Sequence, residues 1–500
     1  MDNLTIFQFF HWYYPQDGSL WNVAGAEAER LSRLGVSHVW LPPAYKGADG
    51  KSDVGYAVYD HFDLGEFNQK GSISTKYGTR QQYVDCIKSL QQAKLQVLAD
   101  IILNHKQGAD EKEKVLVQKT NPENRNEFLG EPEELDLYTR YAFPGRNKKY
   151  SDFIWDWKCF TGIDGETEEG YVIYKILNEY GPEWNRVIDE ELGNFDYLMG
   201  ADIEVRNPFV REELKKWIKW YCDTTGVDGF RMDAVKHMPP EFVNEWLDFI
   251  RTEMERDMFC IAEYWSPSPD ILKMYIDKVE GRAHLMDVPL HNKLHEVGKE
   301  EGFDLRELFK NTLIEKCPDR TITFVDNHDT QPLQTLESMV ADWFKPMAYA
   351  CILLRMQGIP CVFYPDFYGV SYRDEKKVVN IHRVPKLRKL MKARKYLAYG
   401  EQHDAFINER LIAWTRSGIE EKKYSGLCVL LNITDRKEKI PLCVGCSHAN
   451  KEFVELIGGG RDVVKTDGEG KAAFLARPGH PSVWIRKEAM SYFEKKKTTF

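Results

Sequence analysis

No stretch of this 500-residue chain approaches the roughly 20 consecutive apolar residues that a membrane-spanning helix needs. A basic excess is missing too. Sixty-eight Lys and Arg against 78 Asp and Glu leave a formal charge of -10, which excludes the footprint of a nucleic-acid binder and repels anionic membrane surfaces. There is no internal repeat and no low-complexity tract. No glycine fingerprint follows the first apolar run, which argues against a dinucleotide-binding sheet. The ten cysteines are scattered, and Cys443-Val-Gly-Cys446 has no second pair to match it, so they read as core thiols rather than a disulfide frame or metal knuckle. The opening Met1-Asp-Asn-Leu-Thr-Ile-Phe-Gln-Phe-Phe lacks the basic segment and apolar core of a leader. A cytoplasmic protein is expected, the alternative being a secreted one whose signal peptide has been removed.

What is present is a regular alternation. Apolar runs at Leu4–Phe10, Ser37–Leu41, Leu95–Leu103, Val227–Asp233, Met258–Glu263, Ala283–Val288, Ile322–Val325 and Cys361–Tyr364 have the length and continuity of strands buried on both faces. Helical spacing follows them, as at Tyr83, Ile87 and Leu90. Further helices are expected near Phe242–Ile250, Ile271–Val279, Leu305–Leu313, Trp343–Met356 and Val384–Tyr399. Asn207-Pro208 marks a helix start, with Asn as cap and Pro in the first turn, running to Gly226. Eight strand-helix units predict an α/β fold, a (β/α)8 TIM barrel. The pattern breaks between 105 and 200, where an irregular β-rich subdomain is expected to be inserted. After residue 400 short strands at Leu411–Thr415, Leu427–Asn432, Glu452–Leu456 and Val483–Ile485 predict a C-terminal antiparallel β-domain. The expected organisation is therefore 1–104 and 201–399 as barrel, 105–200 as insert, 400–488 as a β-sandwich, and a basic, frayed tail from 489 to 500.

In such a barrel the working groups gather where strands end, because the following loops share one rim. Asp100 and His105 close the third strand, Arg231, Asp233 and His237 the fourth, Glu263 the fifth, and His328 with Asp329 the seventh. Any one acid alone reads as a strand end in solvent. Three acids converging with histidines, in a chain holding 13 Trp and 25 Tyr, suit cleavage of a glycosidic bond through an oxocarbenium-like state. Arg231, two residues before Asp233 on the same strand face, favours an ionised nucleophile. Glu263, close to other acids, is expected to hold a proton and act as general acid.

The segments Asp100-Ile-Ile-Leu-Asn-His105, Gly229-Phe-Arg-Met-Asp-Ala-Val-Lys-His237, Glu263-Tyr-Trp265 and Phe324-Val-Asp-Asn-His-Asp329 resemble, in order, the four signature segments of the α-amylase family of glycoside hydrolases. Asn194-Phe-Asp-Tyr-Leu-Met-Gly-Ala-Asp202 resembles its fifth, and Asp53–Asp60, Leu64–Phe67 and Trp343–Pro346 extend the likeness, which is nearest to the liquefying bacterial members. The resemblance implies endo-acting hydrolysis of α-1,4-glucosidic bonds in starch, glycogen or dextrins. Asp233 would be the nucleophile, Glu263 the acid then base, and Asp329 the third carboxylate. His105, His328, Arg231 and Tyr56 would serve the cleavage subsite, and Trp12, Lys236, His237 and Trp265 would be further substrate contacts. It further implies retention of configuration, with the catalytic carboxyls about 5 Å apart.

A calcium ion is implied as well, held by Asn104, Asp196, Asp202 and the backbone carbonyl of His237, an all-oxygen set suited to a hard cation. Arg206 and Asn185 stand where relatives carry acids for further metals, so one structural ion is expected, with Arg206 supplying charge in place of another. His11 stands where an acid is expected. The expected partner is an α-glucan or maltooligosaccharide, with no nucleic acid or membrane, and the protein is expected to be a monomer. A transglycosylase, a maltooligosaccharide-forming enzyme and a non-catalytic carbohydrate binder remain as alternatives.

Overall fold

Eight short parallel strands close on themselves in a computed structural model that describes residues 3–167, 170–299, 302–374, 377–458 and 462–493. They are β1 (Ile6–Gln8), β2 (His38–Leu41), β3 (Gln96–Ile101), β4 (Gly229–Met232), β5 (Phe259–Ala262), β6 (His284–Met286), β7 (Thr321–Phe324) and β8 (Ile359–Phe363). Each pairs with its sequence neighbour and β1 pairs with β8, with Ile6 opposite Cys361, so the barrel has no free edge. Every apolar run read as a barrel strand supplies one.

The helices form where an apolar stripe meets a clean start and stop. Helix α1 (Leu20–Leu34) buries Leu20, Trp21, Ala24, Ala28, Leu31 and Leu34, and ends on Gly35 at φ 98°, whose N–H reaches the Leu31 carbonyl. Helix α2 (Arg80–Gln92) begins with a capping box between Thr79 and Gln82. Helix α3 (Pro208–Thr225) is capped by Asn207, whose side chain accepts from Phe209, and stops at Gly226. Helices α4 (Pro240–Asp248) and α5 (Pro269–Lys278) follow, then α6 (Val288–Lys299). This last helix corrects the sequence reading, which placed one at Leu305–Leu313; only a single turn, Leu305–Glu307, forms there. The true stripe is Val288, Leu290, His291, Leu294 and Val297, all buried. A buried histidine inside it hid the period. Helices α7 (Lys345–Leu354) and α8 (Leu387–Tyr396) complete the ring, and a hairpin of Val370–Asp374 with Lys377–Ile381, not foreseen, lies between them.

The insert is more regular than its composition suggests. Six strands pair in the order His105–Lys106, Ala201–Ile203, Phe160–Thr167, Gly170–Ile176, Glu111–Thr120 and Phe128–Arg140. His105 lies opposite Asp202 in this sheet, so the end of the third barrel strand is tied directly to the insert.

Beyond residue 400 the strands Gln402–Asn408, Leu411–Arg416, Leu427–Asn432, Ser482–Arg486, Glu452–Glu455 and Val463–Lys465 form one sheet, and Glu438–Cys443 pairs with Lys471–Ala476 in another. Alternate residues of the central strand face opposite cores. Leu427, Val429 and Leu431 join the barrel's apolar core, while Cys428 and Leu430 pack with Ile440, Phe474 and Trp484. Residues 494–500 of the expected frayed tail lie outside the described residues. All ten cysteines are unpaired, seven of them buried, with Cys443 and Cys446 exposed. The aromatic wealth is largely core, since Trp21, Trp40, Trp217, Trp246, Trp414 and Trp484 are fully buried. Among the described residues no helix is long and apolar enough to cross a membrane.

Candidate active site

Arg231 occupies the centre of the carboxyl pole. Its position on β4 is in register with Asp100 on β3 and Ile261 on β5, which brings its side chain among the ends of three strands. Nη1 donates to Asp100 at 2.9 Å and to Asp233 at 2.5 Å, and Nη2 stands 3.8 Å from Glu263. The side chain is 1% exposed, so these charges are poorly screened. One cation serves three carboxylates, and protons must remove the surplus negative charge.

The surroundings decide where those protons go. Asp100 also accepts from Trp40 Nε1 at 3.0 Å and from the Tyr56 hydroxyl at 2.7 Å, which makes it the fixed anchor of Arg231. Burial, with added repulsion from Asp233, pushes the Glu263 carboxyl up against the pull of Arg231. Burial likewise lifts Asp329 to about 8, with Arg231 opposing and Glu263 and Asp233 adding to the rise. The shift of Glu263 is in the direction a general acid requires.

The backbone holds the pair in place. Ala234, directly after Asp233, adopts φ 51°, a left-handed conformation that costs a non-glycine residue about 1–2 kcal/mol. The turn aims the Ala234 N–H at Glu263 Oε2, 2.8 Å away, while Val235 N–H donates to the Glu263 carbonyl at 3.0 Å. Asp233 N–H donates to Ile101 on β3. The strain is offset by locking the loop bearing one acid onto the strand bearing the other.

Around these acids lies a stack of rings. Trp12 and Tyr56 are parallel within 4° at 5.7 Å, and Tyr56 and His328 within 12° at 5.0 Å. His328 Nε2 lies 3.5 Å from Asp329. His105 Nε2 donates to the Tyr56 carbonyl at 3.0 Å, while its buried Nδ1 has no protein partner. Burial keeps both imidazoles neutral. Trp265 is half-buried near Phe324 and His291. His11, expected to be an acid, is buried against Tyr14, Tyr364 and Tyr372 with its pKa lowered to about 3 by burial and nearby Lys76, so an aromatic nest replaces the charge.

Lys236 and His237 turn toward the insert. Lys236 Nζ pairs with Glu191 at 2.7 Å and Asp189 at 3.4 Å, and His237 Nδ1 bonds the Phe195 carbonyl at 2.6 Å. That last contact brings the neighbour of Phe195, Asp196, to the His237 segment. Asp196 and Asp202 are each about 1% exposed. Asn104 donates to Asp202 at 3.3 Å, Thr161 donates to the same carboxylate, and Asn185 donates to Asp196 from its backbone at 2.9 Å. Burial, with repulsion from Glu204, lifts Asp196 to about 7, and burial, with repulsion from Asp196 and Glu204, drives Asp202 well above the usual carboxylate range. Asn185 Oδ1 is buried with no partner. Two crowded carboxylates, an amide oxygen and an orphaned amide oxygen fit a hard cation. No group of three or more His, Cys, Asp and Glu placed to hold a metal occurs among the described residues.

The sequence reading missed one participant in this nest. Lys175 is fully buried and donates to the carbonyls of Thr161 at 2.9 Å and Ile176 at 2.7 Å, within electrostatic reach of Glu204, Asp196 and Asp202. Arg206 clamps Glu204 through Nε at 2.8 Å and Nη2 at 2.6 Å. The signal for Lys175 was a single lysine in the apolar strand Tyr171-Val-Ile-Tyr-Lys-Ile176.

With this geometry in hand, the comparisons with known proteins agree with one another. Residues 28–392 match the family model for the α-amylase catalytic domain. The chain is 45% identical over 500 residues to the cytoplasmic α-amylase of Escherichia coli K12, covering 98% of this chain and 100% of that protein. It is 44% identical over 496 residues to an α-amylase of Geobacillus stearothermophilus, covering 98% of this chain and 88% of that protein. The crystal structure of an Anoxybacillus α-amylase shares the fold at a TM-score of 0.65 and 16% identity, over 97% of each chain.

Proposed function

The chain belongs to the α-amylase family of glycoside hydrolases, and on that premise we propose that it hydrolyses internal α-1,4-glucosidic bonds of starch, glycogen or dextrins with retention of configuration. The observation that carries the reading is the Arg231 hub, a single buried guanidinium that joins Asp100, Asp233 and Glu263. Arg231 Nη1 holds Asp233 Oδ1 at 2.5 Å and orients that carboxyl for attack on the anomeric carbon. Glu263 delivers its proton to the departing glycosidic oxygen, which leaves a β-glycosyl ester on Asp233. The Glu263 carboxylate then takes a proton from water, and that water releases the sugar as the α-anomer. Asp329, with His105 and His328, holds the hydroxyls of the distorted ring, and Tyr56 stacks on it with Trp12 beside it. Lys236, His237 and Trp265 serve the leaving-group side, where Lys236 reaches substrate after parting from Glu191.

Asn104, Asp196, Asp202 and the His237 carbonyl would hold one calcium ion. Such an ion would neutralise the crowded carboxylates and would tie the insert to the loop that follows Asp233. Lys175 and the Arg206–Glu204 clamp supply internal positive charge, which supports a single ion rather than several. Residues 1–104 and 201–399 form the catalytic barrel in this reading, 105–200 the insert, 400–488 the β-sandwich and 489–500 a tail. A cytoplasmic site of action is supported by the ten unpaired cysteines and by the name of the Escherichia coli relative.

Size analysis of a long linear dextrin during digestion tests the function. Endo action shortens the chains before small sugars accumulate, whereas release of one short product from the outset, with the long chains persisting, would replace this reading with an exo-acting one.

A further inference from the structure

Gln8 is a polar side chain in an otherwise apolar strand, Ile6-Phe-Gln8, and is 1% exposed. Its amide Nε2 lies 3.0 Å from His328 Nδ1, and its Oε1 is buried with no partner. On the other side of the same imidazole, Nε2 faces Asp329 at 3.5 Å. The plane of the ring is fixed by its neighbours: Tyr56 lies parallel, Trp40 meets it edge-on at 5.7 Å, and Phe10 is tilted against it at 5.0 Å. Those apolar walls fix the orientation of the ring and leave open which nitrogen carries the proton.

Chemistry settles the proton. A neutral imidazole has one donor and one acceptor nitrogen. With the Gln8 amide donating, Nδ1 accepts and the proton sits on Nε2, the nitrogen that faces the Asp329 carboxyl. Reversing the amide would bury the two N–H donors of Gln8 where only an orphaned oxygen now sits, with no acceptor to meet them, a worse outcome than one orphaned carbonyl oxygen.

We propose that Gln8 is a positioning residue that holds His328 in its Nε2–H tautomer and so presents a hydrogen-bond donor beside Asp329 at the cleavage subsite. The inference rests on the reading of His328 as a substrate contact given above. Gln8 touches no substrate in this account and acts only through the imidazole.

Two variants of similar size separate this role from packing. Gln8→Met removes the donor, and Gln8→Glu replaces it with an acceptor that calls the proton onto Nδ1. Both are checked for folding by circular dichroism and thermal midpoint, and the tautomer is read by 15N NMR of histidine-labelled protein, with His328→Gln identifying the resonance. The wild type is expected to show Nε2 protonated and Nδ1 bare. Gln8→Met lowers kcat/KM roughly 10–100-fold at every pH, the usual cost of losing a supporting hydrogen bond. Gln8→Glu shows the same loss at neutral and alkaline pH. Its activity relative to wild type recovers as pH falls, because the carboxylate favours the imidazolium and that form again carries an Nε2 proton. A wild-type ring protonated on Nδ1, or two folded variants with equal and pH-independent losses, would overturn the proposal. If the tautomer moves as stated in Gln8→Glu while turnover stays at the wild-type level, Gln8 still positions the ring, and the reading of His328 as a substrate contact fails instead.

Discussion

Two clusters of buried carboxylates flank the short segment from Asp233 to His237, and each has more negative charge than the chain's own cations balance. At the barrel mouth Asp100, Asp233, Glu263 and Asp329 share Arg231. In the insert Asp196, Asp202 and Glu204 share Lys175 and Arg206. The barrel cluster opens toward substrate, with Asp233, Glu263 and Asp329 side chains 13%, 12% and 26% exposed, so its surplus charge is met by protons that can come and go. The insert's acids are sealed, and their surplus suits fixed cations and a metal. The same physical problem yields catalysis where the neutralising charge is exchangeable, and rigidity where it is not.

The comparison breaks most visibly at Glu263. Replacing it with Gln keeps the shape and removes the titrating proton, so kcat is expected to fall by roughly 10²–10⁴-fold while dextrin affinity persists. Turnover within a fewfold of wild type would remove Glu263 from its role. Arg231→Met strips the barrel cluster of its buried guanidinium, which is expected to cost about 3–5 kcal/mol in denaturant unfolding along with nearly all activity. An equally stable variant would mean that the acids are already neutral without it.

The insert should respond to metal instead. Chelation is expected to lower the thermal midpoint, and elemental analysis of the untreated protein should give one calcium per chain, two or more contradicting the single-ion account. Lys175→Met should widen the gap between chelated and calcium-loaded midpoints, since the ion then carries more of the balance. A separate, pH-dependent effect concerns Asp329. Its carboxyl is raised to about 8 by burial, so the folded state holds a proton that the unfolded chain gives up near pH 4. Stability is then lost as pH rises through that window. Asp329→Asn, which cannot ionise, should gain thermal stability relative to wild type progressively from about pH 4 to pH 8 while losing activity. A difference that does not vary with pH would show that Asp329 carries no such penalty.

Much of this was legible in the sequence for a simple reason. Strands buried on both faces are unbroken apolar runs, and charges placed where such runs stop have no packing purpose, which is how Asp233, Glu263 and Asp329 stood out. Residues whose work depends on partners far away in the chain were harder to read. Lys175 is a lone lysine in an apolar strand, and only the fold brings Glu204 and Asp202 around it. Asp100 reads as a strand end until Trp40, Tyr56 and Arg231 surround it. The misplaced helix near Leu305 shows the converse, an apolar cluster with helical spacing that the chain uses as a turn against the C-terminal sheet, where Leu305 N–H meets the Glu409 carbonyl.

The division of labour between Asp233 and Glu263 is tested most directly by the configuration of the first product. Proton NMR of a maltooligosaccharide digest, recorded before mutarotation, should show the α-anomer of the new reducing end. An initial excess of the β-anomer would mean a single displacement by water, and would contradict Asp233 as the nucleophile.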